Sequence, residues 1–367
     1  MNKIKNIICI VLFAAFVLIP GTVCLLKEPV DILVSERRKA AQLPDFSLKG
    51  VMDKTYFDGI EDFLTDQFPL RDEFRAVNAA IRLKLFGQKD NGGIYLADGH
   101  ISEMQTTLNE ESVIKAAQKL NSLHKKYLEG KNTRVFCSVI PDKNVYLAEK
   151  NGYPAMDYEK MIDIFTAEVE NMEYINIFDC LDLDSYYKTD SHWKQEKLDK
   201  VVSRLGEKMG FNAKSVDEYA AEKLSDFEGV YASRLAFGWE ADEIIALTDE
   251  VTLNAKINDI EKNESYTGVY NKSKLNGNDR YDVFLSGATA LITAENPLAK
   301  EKRELVIFRD SFGSSLAPLL LSGYSKITLV DIRYISSQIL DQFVDFEICD
   351  VLFLYNTQIL NQSSLLK

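Results

Sequence analysis

Four short apolar runs constrain the fold of this chain more than any other feature. Val135 to Ile140, Leu305 to Phe308, Ile327 to Val330 and Val351 to Tyr355 contain no charged residue and no strict polar alternation. Runs this short read as strands, and the missing alternation means burial on both faces. Helical spacing marks stretches between them, at about Tyr158 to Met172, Lys194 to Met209, Phe312 to Leu321 and Ser336 to Phe346. A further strand is predicted at Tyr174 to Phe178. Strands alternating with helices imply right-handed crossovers, and so an α/β fold on a mainly parallel sheet flanked by helices. From about Phe211 to Lys300 the rhythm breaks into Gly, Asn, Tyr and charged residues, which reads as an insertion able to shape a site.

The first 26 residues carry a topological message. Lys3 and Lys5 precede Ile7 to Leu26, a run without a charged residue. Twenty helical residues rise about 30 Å, enough to cross the hydrocarbon core. The expectation is an uncleaved single-pass anchor with the lysines inside and the rest of the chain extracytoplasmic. A cleaved signal peptide is the other reading. Lys27 to Pro44 leads away from the membrane, and Glu36-Arg37-Arg38-Lys39 within it reads as a solvated charge run. A helical stretch follows from Tyr56 to Phe86, interrupted at Asp66 to Arg71 because Pro69 disfavours helix at Phe68. The expected organisation is therefore an anchor or signal at 1–26, a linker at 27–55, and one domain at 56–367 holding the insertion at about 211–300.

Composition narrows the function. The net charge of −13 argues against a nucleic-acid partner, which needs a basic face for phosphates. Five cysteines show no paired or metal-type spacing, so Cys137, Cys180 and Cys349 are expected as buried small hydrophobes and no metal site is expected. Three histidines are present, and His124 and His100 read as surface and turn residues. His192 differs, because it follows Asp190 by two residues where a loop meets a helix. A carboxylate at that distance can hold one imidazole nitrogen and leave the other as a base. The plainer alternative makes Asp190 or Ser191 a helix cap. The second constellation is Arg309-Asp310-Ser311, where an apolar strand ends and a helix begins. Strand ends of open α/β sheets face the ligand crevice, and helix N-termini favour developing negative charge. Ser311 therefore suits a nucleophile, with an N-cap as its structural alternative. Asn356 and Arg333 follow two other strands of the same sheet. Asn356 can donate to an oxyanion, and Arg333 can orient substrate or support its loop.

Tyr187-Lys188-Thr189-Asp190-Ser191-His192-Trp193, Arg309-Asp310-Ser311 and Asp331-Ile332-Arg333-Tyr334 resemble the bacterial DHHW proteins, which are related to the SGNH-hydrolase-like proteins of alginate O-acetylation. Glu36 to Pro44 and Asp66 to Arg71 resemble that family's opening, so the resemblance covers nearly all of the exported part. It implies an SGNH-like fold with a circularly permuted motif order. It implies that Ser311 is acylated, with His192 as general base and Asp190 orienting it. It implies an O-acetyltransferase for a cell-surface or exopolysaccharide, often supplied by a membrane-bound O-acyltransferase, and no cofactor. Two departures stand out: Ser191 replaces the first histidine of the family's name motif, and Arg309 stands where glycine is usual. Two rival readings remain. One is a carbohydrate esterase with the same triad. The other is a non-catalytic glycan-binding scaffold, with Trp193, Tyr186 and Tyr187 stacking on sugar rings.

Overall fold

A computed structural model describes residues 2–367 apart from Arg37, Phe237 and Ile348, so Arg37 of the charge run lies outside the described residues. The chain divides into two compact units, Met1–Ile94 with Val230–Trp239, and Tyr95–Gly229 with Glu240–Lys367. The helical stretch that starts near residue 56 falls in the first of these units.

In the smaller unit, helix α1 (Asn2–Leu26) is long and apolar enough over Lys3–Leu26 to cross a membrane. Helices α2 (Thr55–Asp66) and α3 (Arg71–Ala80) follow, and the chain winds on through a π-helical turn at Ile81–Leu85. The break between α2 and α3 lies at Pro69, as expected. Arg38 and Lys39 of the charge run are exposed as expected, but Glu36 and Arg38 are also ion-paired. The Arg38 guanidinium donates to both oxygens of buried Asp66, at 2.7 and 2.6 Å, and Glu36 pairs with Arg71 at 2.6 Å. Such forked pairs fix geometry as well as charge. They join the two N-terminal motifs into one structure.

In the larger unit, the described residues form an eight-stranded sheet. Its strands are β1 (Val135–Ile140), β2 (Glu173–Tyr174), β3 (Lys256–Asp259), β4 (Glu264–Thr267), β5 (Leu291–Glu295), β6 (Glu304–Arg309), β7 (Lys326–Val330) and β8 (Cys349–Asn356). Their order is β4-β3-β5-β7-β6-β8-β1-β2. From β7 to β2 every pairing is parallel. Side chains alternate between two cores with the strand period of two. Val135, Cys137 and Val139 pack with Val306, Phe308, Val351 and Phe353 beneath α4 (Glu110–Tyr127) and α5 (Tyr158–Glu168). Phe136, Leu305, Ile307, Leu352 and Leu354 pack on the opposite side with α6 (Asp199–Met209) and α7 (Gly313–Leu320). Burial on both faces explains the unbroken apolar runs.

Three expectations need correction. The insertion does more than flank a site: β3, β4 and β5 lie within it and extend the sheet through antiparallel pairings, β5 on β7, β3 on β5 and β4 on β3. Ser336 to Phe346 is not a helix. Only Leu340–Gln342 forms a 3-10 turn, and Tyr127 Oη takes over local backbone groups, donating to Ser337 O at 2.8 Å and accepting from Leu340 N at 3.3 Å. The strand expected at Tyr174 to Phe178 shrinks to two residues at the sheet edge.

The loop from Tyr187 to Trp193 is held by buried polar partners from outside it. Asp242 accepts from Lys188 N, Thr189 N and Thr189 Oγ1, each within 2.8 Å. The Lys143 ammonium donates to the carbonyls of Ile101 and Tyr187 at 2.7 and 2.8 Å. Gly229 lies so close beneath the loop that a Cβ there would sit 2.3 Å from Asp190 Cβ and 2.5 Å from Thr189 O.

Two predictions follow from that loop. Gly229→Ala must push it away, with an expected loss of about 1–3 kcal/mol read from the urea midpoint. Burial pushes Lys143 from its ordinary 10.5 down to about 7, with Asp190 and Asp242 pulling the other way. Between those values the unfolded chain holds a proton the folded chain lacks, so this group makes stability rise with pH over that window. Urea midpoints of wild type and Lys143→Met across it should differ in slope, the variant lacking this rise.

Candidate active site

The site begins where β6 ends. Arg309 is the last residue of the strand, Asp310 and Ser311 form the turn, and α7 starts at Gly313. A Cβ at Gly313 would lie 2.8 Å from Arg309 Cβ, so glycine lets the helix start directly over the strand end. Asp310 is buried and anchors the turn, accepting from Phe312 N at 3.0 Å and Asn356 N at 2.7 Å. Burial raises its carboxyl above the ordinary range, although the Arg333 cation and both N–H groups oppose the rise. Ser311 is left half-buried with its hydroxyl unused by any helix cap.

The loop carrying His192 closes as a narrow hairpin. Tyr186 bridges Trp193, and Tyr187 N donates to His192 O at 3.1 Å. Within it, Oδ1 of fully buried Asp190 accepts from His192 N at 3.0 Å and lies 2.6 Å from His192 Nδ1. His192 Nε2 lies 2.7 Å from Ser311 Oγ, across 119 residues of sequence. With Nδ1 protonated toward the carboxylate, Nε2 has a lone pair for the serine proton. Asp190, His192 and Ser311 thus form one continuous hydrogen-bonded line.

The other expected residues fall differently. Asn356 ends β8 and is buried. Its Oδ1 accepts from Gln358 N at 2.7 Å, while its Nδ2 is a buried donor with no protein acceptor. An unpaired buried donor costs roughly 1–3 kcal/mol, which marks it as a group awaiting an acceptor. Arg333 forks onto Asp331 at 2.9 and 2.7 Å and so braces its loop. Trp193 is fully buried, with Nε1 donating to Ser315 Oγ at 2.9 Å. A ring enclosed in the core offers no face to a sugar, and Tyr186 and Tyr187 are equally enclosed. Arg309, in place of the usual glycine, is fully buried, donates to Gly287 O at 3.0 Å and lies 3.8 Å from Asp331.

Sequence reasoning missed the residue that covers the imidazole. Tyr281, from the insertion, stacks on His192 with centroids 3.9 Å apart and planes 15° from parallel. Its hydroxyl meets Ser315 Oγ at 2.8 Å, and Phe312 tilts against the imidazole at 4.7 Å. Nothing local in the sequence around Tyr281 signals this, because the contact joins segments far apart in the chain.

Comparison with known proteins agrees with this architecture. The sequence profile of the DHHW proteins matches residues 36–113 and 157–330. A DHHW family protein from Eubacterium siraeum is 20% identical, covers 75% of this chain and 94% of its own, and gives a TM-score of 0.62. PatB1 of Bacillus cereus is 16% identical over 73% of this chain and 96% of its own, with a TM-score of 0.57. PatB1 with a sulfonyl adduct gives the same identity and TM-score. No curated protein matches the chain. These structural likenesses show a shared SGNH-like α/β fold, with its mainly parallel sheet between helical layers. With its profile matched over more than half of the sequence, the chain belongs to the DHHW protein family.

Proposed function

We propose that this chain is an extracytoplasmic acyl-serine enzyme, an O-acetyltransferase of a cell-surface or exopolysaccharide held at the membrane by α1. The observation that carries this reading is the unbroken line from Asp190 through His192 to Ser311, at 2.6 and 2.7 Å. Ser311 Oγ attacks the acyl carbonyl while His192 Nε2 takes its proton. The donor's oxygen leaves with that proton, and the acyl group stays on Ser311. A sugar hydroxyl then attacks the acyl-serine, giving its proton to His192, and the serine recovers it as the ester departs. Asp190 holds the tautomer and stabilises the imidazolium. The unpaired Nδ2 of Asn356 is suited to the tetrahedral oxyanion, together with the backbone N–H at the start of α7. A membrane-bound O-acyltransferase is the expected source of acetyl groups, as the family resemblance implies. Water in place of the sugar would make the same machinery a carbohydrate esterase. The burial of Trp193, Tyr186 and Tyr187 weighs against a scaffold that binds glycan by stacking on those rings.

The test uses the full chain in detergent with a chromogenic acetyl ester, followed by an acetyl donor and a glycan acceptor. Ser311→Ala and His192→Ala should each lower turnover by on the order of 10⁶-fold, and the double variant should lose little more, because the residues act as a unit. A sulfonyl fluoride should label wild type at Ser311 and leave Ser311→Ala unlabelled. Turnover indifferent to Ser311, with no label, would sink the acyl-serine reading. Acetate released without transfer to any glycan would favour the esterase. Asn356→Ala should lower turnover by about 10²–10³-fold if Nδ2 serves the oxyanion, and should leave labelling stoichiometry unchanged.

A further inference from the structure

The smaller unit carries an apolar stripe that its own core does not use. Leu70, Phe74, Val77, Ile81 and Leu85 recur at spacings of three and four along α3 and its continuation, so they share one face. Their exposures are 64, 52, 56, 39 and 73%. Phe68 adds to the patch through its ring contact with Phe74 at 5.7 Å. Two cations of the same helix, Arg71 and Arg75, pair with Glu36. A regular apolar stripe about four turns long, left open to solvent, marks an interaction surface.

Three observations point to lipid as its occupant. Cys24 Sγ donates to Gln67 O at 3.4 Å, and the Gln67 side chain clamps both backbone groups of Val30 at 2.9 Å. Cys24 lies two residues, about 3 Å of helix rise, before the end of α1. The turn from Gln67 to Leu70 is therefore fixed to the last turn of the apolar helix, where such a helix meets the headgroups. The charge agrees: residues 27–94 hold 11 basic and 12 acidic residues, although the whole chain stands at −13. This near-neutral part can approach an anionic surface that would repel the rest. Finally, the stripe starts at Leu70, at the root tied to α1, so it continues apolar surface that the membrane would already cover.

We infer that α3 and its continuation to Leu85 lie against the bilayer as an interfacial helix, with Leu70, Phe74, Val77, Ile81 and Leu85 in the headgroup and upper acyl region. This rests on α1 being a membrane anchor. Binding of this kind scales with buried apolar area and holds a helix in the interface plane. It gives the smaller unit a second attachment besides α1.

The experiment places benzoylphenylalanine at Val77 or Leu85 of the full chain in cell membranes, and in vesicles of phosphatidylcholine and phosphatidylglycerol. The same label at exposed Glu207 is the control. Irradiation should attach one phospholipid mass to the labels at Val77 and Leu85, above the Glu207 background, in both preparations. Capture of a second copy or of another membrane protein in place of lipid, or no lipid adduct above the control, would overturn the inference. A sodium carbonate wash separates the two readings. If the chain washes off, the anchor fails and the inference falls with it. If it stays while Val77 captures protein, only the interfacial helix is wrong.

Discussion

One carboxylate oxygen organises the site. Oδ1 of Asp190 faces both the backbone N–H and the ring Nδ1 of His192, so a single buried acceptor fixes where the histidine sits and how its ring is turned. Spacing two residues apart makes this possible only while the backbone between them stays folded. Remove that fold and the carboxylate becomes an uncompensated buried charge, which is far more costly than the bond it makes. The surrounding framework serves that requirement. Asp242 gathers three donors from Lys188 and Thr189, Lys143 gathers carbonyls on the other side, and Gly229 allows the close approach beneath. The sheet meets the same demand from the opposite direction. Asp310 ties the turn of β6 to the end of β8, so Ser311 is delivered to Nε2 by two adjacent strands acting together.

Such a network is stable only when it is complete. Lys143, Asp142, Asp190, Asp242, Asp310 and Arg309 are all buried, and most of their polar atoms have partners. Low local dielectric strengthens those bonds and equally raises the cost of breaking one. The exceptions are therefore informative. Arg309 Nε and Asn356 Nδ2 are both buried without a protein partner, and both belong to residues at the carboxyl ends of adjacent strands around Ser311.

Much of this was legible in the sequence, and the reasons for success and failure are physical. The strand at Val135–Ile140 matches its reading residue for residue, because burial on both faces leaves an unbroken apolar run that needs no partner to be recognised. The approach of His192 to Ser311 was legible through motif order and the resemblance it carries, since neither segment alone separates a base from a cap. What stayed hidden depends on contacts across long stretches of sequence. Ser336 to Phe346 has helical spacing, yet Tyr127, more than 200 residues away, takes up its backbone groups. Glu36 and Arg38 looked solvated because Asp66 and Arg71 lie some thirty positions further on. Trp193 shows the same ambiguity in side chains: an aromatic beside a catalytic motif reads alike whether it faces a sugar or the core.

Tyr281 stacks on the imidazole and Phe312 tilts against it, and this has a consequence for the order of events. A histidine free to swing can serve two oxygens in two places. This one is held by Asp190 and flanked by two rings, so Nε2 addresses a single point in space. In the acyl transfer proposed above, the departing oxygen of the donor and the arriving oxygen of the acceptor must occupy that same point in turn. Under that proposal the two reacting oxygens use one position in turn, and the expected kinetics are those of a double displacement through the acyl-serine.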